Sequence, residues 1–154
     1  MAAGPFIFPD RAKLNFFNST NLLAANSALF KLALITSAWA PAAATDEIFG
    51  DISANEIAGA NGYSSGGIAL TGVVLNQAGG VVRFTSAAAQ WTATGGSIAA
   101  WRRGVVYYNG TLAGKVNPLI GHFLGDATPT DVPATTVGNP LTITMNANGI
   151  LQAA

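Results

Sequence analysis

The stretch that decides the fold class is Ile68-Ala-Leu-Thr-Gly-Val-Val-Leu75, followed by Asn-Gln-Ala-Gly-Gly at 76–80 and Val81-Val-Arg-Phe-Thr85. Runs of β-branched and large apolar residues lie on both sides of a segment of turn-forming residues. This arrangement is typical of two antiparallel strands joined by a tight turn. We therefore predict one strand over Ile68–Leu75, a turn over 76–80 and the next strand over Val81–Thr85.

Upstream of this pair, apolar residues alternate from Ala28 onward and predict a strand that ends before Pro41. One face of this strand is predicted to carry Phe30, Leu32 and Leu34, and the other Lys31, Ala33 and Ile35.

Downstream, the predicted strands are Gln90–Thr94, Ile98–Tyr108, Pro118–Leu124 and a segment in which Leu141, Ile143 and Met145 alternate with threonines. Ile98–Tyr108 is the longest and is expected to pair with Pro118–Leu124, and Asn109-Gly110 suits a type I′ turn. A Thr/Pro loop at 127–136 and a turn at Asn148-Gly149 separate the last segments. Many short strands separated by turn signals indicate a sandwich or a barrel.

Two short helices are predicted beside the strands. Asp10 can cap a helix over Asp10–Asn21, and Thr45 can cap another over residues 45–58. In the second helix, the packing residues would be Ile48, Phe49, Ile52 and Ile57.

Residues 1–9 are predicted to form an extended N-terminal arm, because Pro5 and Pro9 lack backbone donors. Phe6, Ile7 and Phe8 have no strand pattern nearby to join, so we expect the arm to become ordered on a neighbouring subunit. The predicted fold is a single-domain, mainly β, antiparallel sandwich or barrel over residues 10–154, with one or two short helices and this arm.

Composition restricts the function classes. The chain has 154 residues, a formal net charge of zero and only 9 % charged residues, against about 25 % in average soluble domains. The lack of a basic excess argues against nucleic-acid binding, and the absence of cysteine excludes disulfides and thiolate metal sites. A chain with so few charges is only weakly protected against association. We therefore expect much of its surface to contact other protein.

No membrane or secretory segment is predicted. Residues 1–10 lack a positively charged start before a long apolar run. The most apolar stretch, Ala28–Ala44, contains Lys31 and Pro41 and is shorter than the ~20 residues of a spanning helix. We expect a soluble chain made in a cytoplasm.

Residues able to do chemistry are few. Gly62-Tyr63-Ser64-Ser65-Gly66 matches the G-x-S-x-G nucleophile elbow, but a strand is predicted after it where the elbow needs a helix. The single histidine, His122, precedes the later acids, against the chain order of a hydrolase, and alternates with Ile120 and Leu124. We therefore interpret 62–66 as a loop and His122 as a neutral, hydrogen-bonded histidine in or near the core.

Three charged motifs are also interpreted as parts of the structure without a chemical role. The acids at 46–56 could in principle bind Ca²⁺, but their spacing fits no EF-hand; a solvated helix face or salt links to a neighbouring subunit is favoured. Arg102 and Arg103 would point to opposite faces of a strand. Gly110–Lys115 is one residue short of a P-loop and is interpreted as a loop. We predict no catalytic, cofactor-binding or metal-binding residue.

Taken together, these strands resemble a known group of proteins. The segments that carry the resemblance are Lys31–Trp39, Val82-Arg-Phe84, Gln90-Trp-Thr-Ala-Thr-Gly-Gly-Ser-Ile98, Val105-Val-Tyr-Tyr108 and Pro118–Phe123. The chain is similar over residues 28–146 to small virion structural proteins of tailed bacteriophages, known as head decoration, cement or minor structural proteins. The most specific part is 91–98 with the Val-Val-Tyr strand.

The resemblance implies a protein of the virion, made in the host cytoplasm, that binds between major capsid subunits and stabilises the head. Its partners would be the major capsid protein and neighbouring copies of itself in a homo-oligomer, with no cofactor, nucleic acid, membrane or enzymatic activity. The alternative is a tail, neck or receptor-binding component, for which Tyr63 and Trp91 would supply an exposed aromatic site. A small β-barrel enzyme or ligand binder is disfavoured because convergent polar groups are lacking.

Overall fold

The computed structural model of the chain describes residues 4, 6–7, 9, 29–78, 81–128, 130–146 and 149–153, with backbone alone over 75–78, 81–83 and 151–153. Within these ranges the chain is mainly β, as predicted. The strands are β1 (Phe6–Ile7), β2 (Phe30–Ile35), β3 (Ile68–Ala69), β4 (Val74–Ala78), β5 (Val81–Thr85), β6 (Ala89–Thr92), β7 (Arg103–Tyr108), β8 (Thr111–Leu112), β9 (Lys115–Val116), β10 (Leu119–Leu124), β11 (Pro140–Ile143) and β12 (Leu151–Ala153). Among the described residues one α-helix, α1, spans Phe49–Ile52 and continues into a 3-10 turn at Ser53–Asn55.

The central sheet has five antiparallel strands in the order β1-β10-β7-β2-β3. Pairing of β7 with β10 was predicted and is confirmed. The two faces of β2 are also confirmed: Phe30, Leu32 and Leu34 join one buried cluster, whereas Ala33 and Ile35 join another on the opposite face. The sheet is therefore covered on both sides.

Smaller sheets cover the first face. They are a three-stranded sheet in the order β12-β5-β4 and the pair β6–β11, which packs Trp91, Leu141 and Ile143 against the central sheet. The segments outside these strands add bridges at Ile98–Thr135 and Trp101–Val132. The described strands leave sheet edges unpaired and close no barrel. Of the two predicted architectures, sandwich and barrel, these strands are therefore compatible with the sandwich.

The second face of the central sheet is covered by Trp39 and by α1. Phe49 and Ile52 of α1 are buried there with Trp39 and Leu119, and the ring of Phe49 stacks on that of Tyr107 with centroids 4.3 Å apart. This layer is small, so most of the core lies between the central sheet and the smaller sheets.

Several predicted boundaries are wrong. The predicted strand Ile68–Leu75 is divided into β3 and β4 around Gly72, whose φ is +57°. Regular pairing in Ile98–Tyr108 begins only at Arg103. The helix predicted over 45–58 begins at Phe49, so Thr45 does not cap it. The helix predicted over Asp10–Asn21 lies outside the described residues.

The predicted type I′ turn at Asn109-Gly110 is also wrong, because neither residue has the positive φ that this turn requires. The two-residue turn lies instead at Ala113-Gly114, where φ is +50° and +76°, between β8 and β9. Gly110–Lys115 is therefore part of a β-hairpin, where a loop was predicted.

The expectation that Phe6 and Ile7 have no strand to join is wrong as well. They form β1, which pairs with β10 of the same chain through Phe6–Phe123 and Ile7–His122. The backbone N–H of Gly4 donates to the carbonyl of Leu124 at 2.9 Å, which extends the pairing by one contact. The described part of the arm is extended, but it lies on its own sheet.

Candidate functional site

The acidic segment 46–56 is used within the chain. The carboxylate of Asp46 accepts hydrogen bonds from Trp39 Nε1 at 3.0 Å and from the backbone of Ala42 at 2.7 Å. Asp51 accepts from two backbone N–H groups, each at 2.9 Å, at the start of α1, where a negative charge is stabilising. Glu47 pairs with Lys115 at 2.8 Å. The described residues contain no cluster of three His, Cys, Asp or Glu side chains suited to a metal ion.

The fourth acid, Glu56, is the centre of a polar network. Its Oε1 accepts from Tyr63 Oη at 2.6 Å and from the backbone N–H of Gly66 at 2.7 Å. Tyr63 Oη in turn accepts from the backbone of Leu34 at 3.0 Å, and Tyr107 Oη donates to the carbonyl of Gly66 at 2.7 Å. This network ties the loop over 56–66 to strands β2 and β7.

Both phenols in the network remain protonated. Burial, reinforced by the Glu56 carboxylate, raises the pKa of Tyr63 well above its ordinary value. Burial and the same carboxylate raise the pKa of Tyr107 to about 12. Two hydroxyl donors that stay protonated at neutral pH therefore hold this loop, and the sequence pattern indicates neither of them for that role.

The nucleophile-elbow match lies inside this loop. Ser64 is exposed, and the chain continues into β3 without an intervening helix. This confirms the interpretation of 62–66 as a loop. Ser64 lies beside the Glu56 network, whereas His122 lies in β10 against Trp39.

His122 is buried, at 7 % exposure, but it shares a strand face with only one of the two residues, Ile120 and Leu124, with which it alternates in the sequence. The register between β10 and β7 shifts between Leu119 and Gly121, so His122 lies opposite Val105 on the face of the smaller core layer. It shares this face with Leu124, whereas Ile120 packs into the larger core. A bulge in β10 makes the simple alternation fail.

The surroundings of His122 are aromatic and positively charged. Its ring meets the Trp39 ring edge-on with centroids 5.3 Å apart, and its Nδ1 has no hydrogen-bond partner among the described residues. Burial and the charge of Arg103 lower the pKa of His122 to about 4, against an opposing contribution from Asp46. His122 is therefore neutral at pH 7, but the expected hydrogen bond is not found at Nδ1.

The two arginines have different partners. Arg102 Nε pairs with Asp131 at 2.7 Å. Arg103 donates to the carbonyl of Trp39 at 3.1 Å and lies 5.9 Å from the centre of that ring. Burial, and to a smaller degree the charge of Arg102, lower the pKa of Arg103. The two guanidinium groups therefore have separate partners.

The aromatic residues proposed for an exposed host-binding site are buried. Tyr63 is 3 % and Trp91 6 % exposed, and their rings pack together with centroids 5.8 Å apart. The expectation of an exposed aromatic site at these positions is therefore wrong.

The feature with the clearest capacity for a protein contact is the outer edge of the central sheet, formed by β1 on β10. Phe6 packs against the main core, whereas Ile7 is 48 % exposed. Gly121 of β10 makes room for the Phe6 ring, since a methyl group at this glycine would overlap that ring. Sequence reasoning missed this edge because a two-residue strand shows no periodicity.

Comparison of the chain with models of protein families, with curated proteins and with solved structures finds no match. Among the described residues, none forms a helix long and apolar enough to cross a membrane.

Proposed function

We propose that this protein is a bacteriophage virion structural protein, and specifically a capsid decoration protein that binds between major capsid subunits and stabilises the head. The observation that carries the proposal is that the acidic side chains at 46–56 make their contacts within the chain. The four acids at 46–56 hold loops, a helix end and a hairpin of the same chain in place. These contacts make the acids part of the framework.

The remaining surface suits contact with other protein. Half-exposed or more exposed apolar side chains lie at the edges of the fold: Ile7 on β1, Val74 on β4, Val116 on β9 and Val137 beside β11. Edge strands also offer backbone donors and acceptors to a partner. A contact built from such groups depends on apolar burial and backbone pairing more than on ion pairs, and stable interfaces of this kind bury about 2,000 Å² or more.

A cement protein must bind the assembled lattice more tightly than the free coat subunit, because only differential affinity shifts an equilibrium. The stabilisation should then increase with occupancy. We propose that neighbouring copies of the chain also contact each other on the particle, and that the protein contributes no catalysis and no cofactor.

A tail, neck or receptor-binding component is the second candidate. Its expected aromatic site is buried at Tyr63 and Trp91, so no observation favours it over decoration. Copy number separates the two: a decoration protein is present in hundreds of copies per particle, and a neck or tail protein in a dozen or fewer. Quantitative mass spectrometry of purified particles measures this ratio.

Binding to particles that lack the protein is the direct test. Stripped particles are titrated with the chain at low and high salt, and rupture on heating is read by DNA release. We expect the rupture temperature to rise with occupancy and the affinity to change little with salt, because screening acts on charges. Full occupancy without added resistance would contradict the cementing role.

A matched pair of variants locates the contact. Val74→Asp places a charge on an exposed edge strand and should weaken binding if that edge docks, whereas Ser64→Ala changes an exposed loop side chain and should leave binding unchanged. Loss of binding in the Ser64→Ala variant with an intact fold would contradict the structural reading of this loop.

A further inference from the structure

We propose that strand β1 is exchanged between copies of this chain, so that Phe6–Ile7 of one copy pairs with β10 of a second copy. The contacts would be those observed within one chain: Phe6 opposite Phe123, and Ile7 opposite His122. The inference needs only two copies of the chain and does not rest on the virion proposal.

The first argument is that β10 carries a specific socket for β1. The Phe6 ring occupies the space that the missing side chain of Gly121 leaves, and it packs against the main core. A methyl group at Gly4 would lie 2.8 Å from the Leu124 carbonyl oxygen, so the backbone just before β1 also fits closely against the end of β10. Recognition by shape is independent of which copy supplies the strand.

The second argument is chain length. Between Ile7 and Leu29 the sequence has 21 residues. A segment of this length reaches at most about 70 Å when fully extended. A folded chain of 154 residues has a radius of gyration of about 15 Å. Covalent geometry therefore permits β1 to reach the β10 of an adjacent copy.

The third argument is the need to cover β10. This strand has the sequence Leu-Ile-Gly-His-Phe-Leu, and the register places β1 along its outer edge. An uncovered apolar edge strand is prone to uncontrolled pairing. Exchange keeps the edge covered in both copies and conserves every contact, which makes it a low-energy route to association. The prolines at positions 5 and 9 restrict further pairing, so the exchanged strand stays short.

The absence of cysteine allows a clean test. One full-length variant carries Ile7→Cys and a second carries His122→Cys; the two are unfolded together, refolded at increasing concentration and oxidised. Directly opposed residues of paired strands lie within disulfide range, so an Ile7–His122 cross-link between chains forms efficiently only if β1 has been exchanged. Covalent attachment of a binding segment corresponds to an effective concentration of about 1 mM, so exchanged and closed forms should become comparable near ~1 mM chain.

Two controls make the outcome decisive. Mixing Ile7→Cys with Val137→Cys, which is exposed, measures random collision. The double variant Ile7→Cys/His122→Cys should form the disulfide within one chain at low concentration, which confirms folding and register. We expect the interchain Ile7–His122 yield to exceed the collision control by about tenfold and to increase with concentration. An interchain yield equal to that of the collision control overturns the proposal. Failure of the double variant to form the disulfide within one chain also overturns it, because the observed register would then be wrong.

A further variant ties the exchange to the socket. Phe6→Ala in the Ile7→Cys chain removes the side chain that fills the socket and should reduce the interchain yield severalfold. An unchanged yield would show that the cross-link does not report the observed register.

Discussion

His122 should make the stability of this protein fall as the pH decreases from about 6.5 to about 4. Its pKa is about 4 in the folded chain and 6.5 in a model peptide. The unfolded chain therefore binds a proton more readily than the folded chain, so acid favours unfolding. This contribution is fully present above pH 6.5 and is lost as the pH falls to the folded-state pKa.

The size of the effect follows from the two pKa values. Each unit of difference corresponds to about 1.4 kcal/mol, so at pH 4.5 the chain should have lost about 2–3 kcal/mol of stability relative to pH 7.5. That is a large fraction of the 5–15 kcal/mol, roughly, by which domains are stable. The main cause of the lowered pKa is burial of the imidazole ring, and the charge of Arg103 adds to it.

The assay is urea unfolding followed by tryptophan fluorescence at pH 7.5, 6.0 and 4.5, for the wild-type chain and for His122→Gln. The variant has no titrating group at this position, so other acids affect both proteins and the difference isolates His122. We expect the two stability curves to converge by about 2–3 kcal/mol towards pH 4.5. Parallel curves would refute the argument, because they would show that His122 is protonated equally in both states.

Three further predictions concern stability and use the same unfolding assay at pH 7.5. Gly125→Ala should destabilise the fold by about 1–3 kcal/mol, because the added methyl group would approach buried side chains to 2.5–2.7 Å. The control is Gly50→Ala in α1, where the nearest contact of the methyl group would be at 3.5 Å. This control should be neutral or stabilising by about 0.5–1 kcal/mol. Ala113→Gly should stabilise the fold by about 1 kcal/mol, since Ala113 has a φ of +50°; a loss of stability would contradict the turn assignment. Glu56→Ala and Tyr63→Phe should each cost about 1–3 kcal/mol. The double variant should cost less than their sum, because each single change already removes the 2.6 Å bond between Tyr63 Oη and Glu56; full additivity would show that the bond is not formed.

The sequence predicted the parts of the fold that depend on local patterns. The alternation in Phe30–Ile35 gave β2 and both of its faces, because a period of two maps directly onto a strand buried on both sides. The bulge in β10 was not predictable in this way, since it depends on how β10 aligns with β7. The same holds for β1, whose two residues acquire a structure only from the socket at Gly121.

The candidate site was predicted less well than the fold. His122 was correctly placed near the core, but its face depended on the bulge. The burial of Tyr63 and Trp91 was missed, because an aromatic residue in a Gly-rich loop or a short strand gives no local sign of the layer packed above it. Interaction surfaces are least visible in a sequence, since they consist of edges left by the tertiary structure.

The pairing of β2 with β7 has a consequence for how fast the protein folds. These neighbours in the central sheet are joined by register pairs such as Phe30–Tyr108 and Ile35–Arg103, so the ends of a loop of roughly 70 residues must meet before this pair can form. The hairpins β4–β5 and β8–β9 close over a few residues and can form in microseconds. The central sheet, by contrast, is assembled from distant segments, which places this chain among slow folders of high contact order. We expect its refolding time to be milliseconds to seconds, with the hairpins in place before the sheet that joins the two core layers.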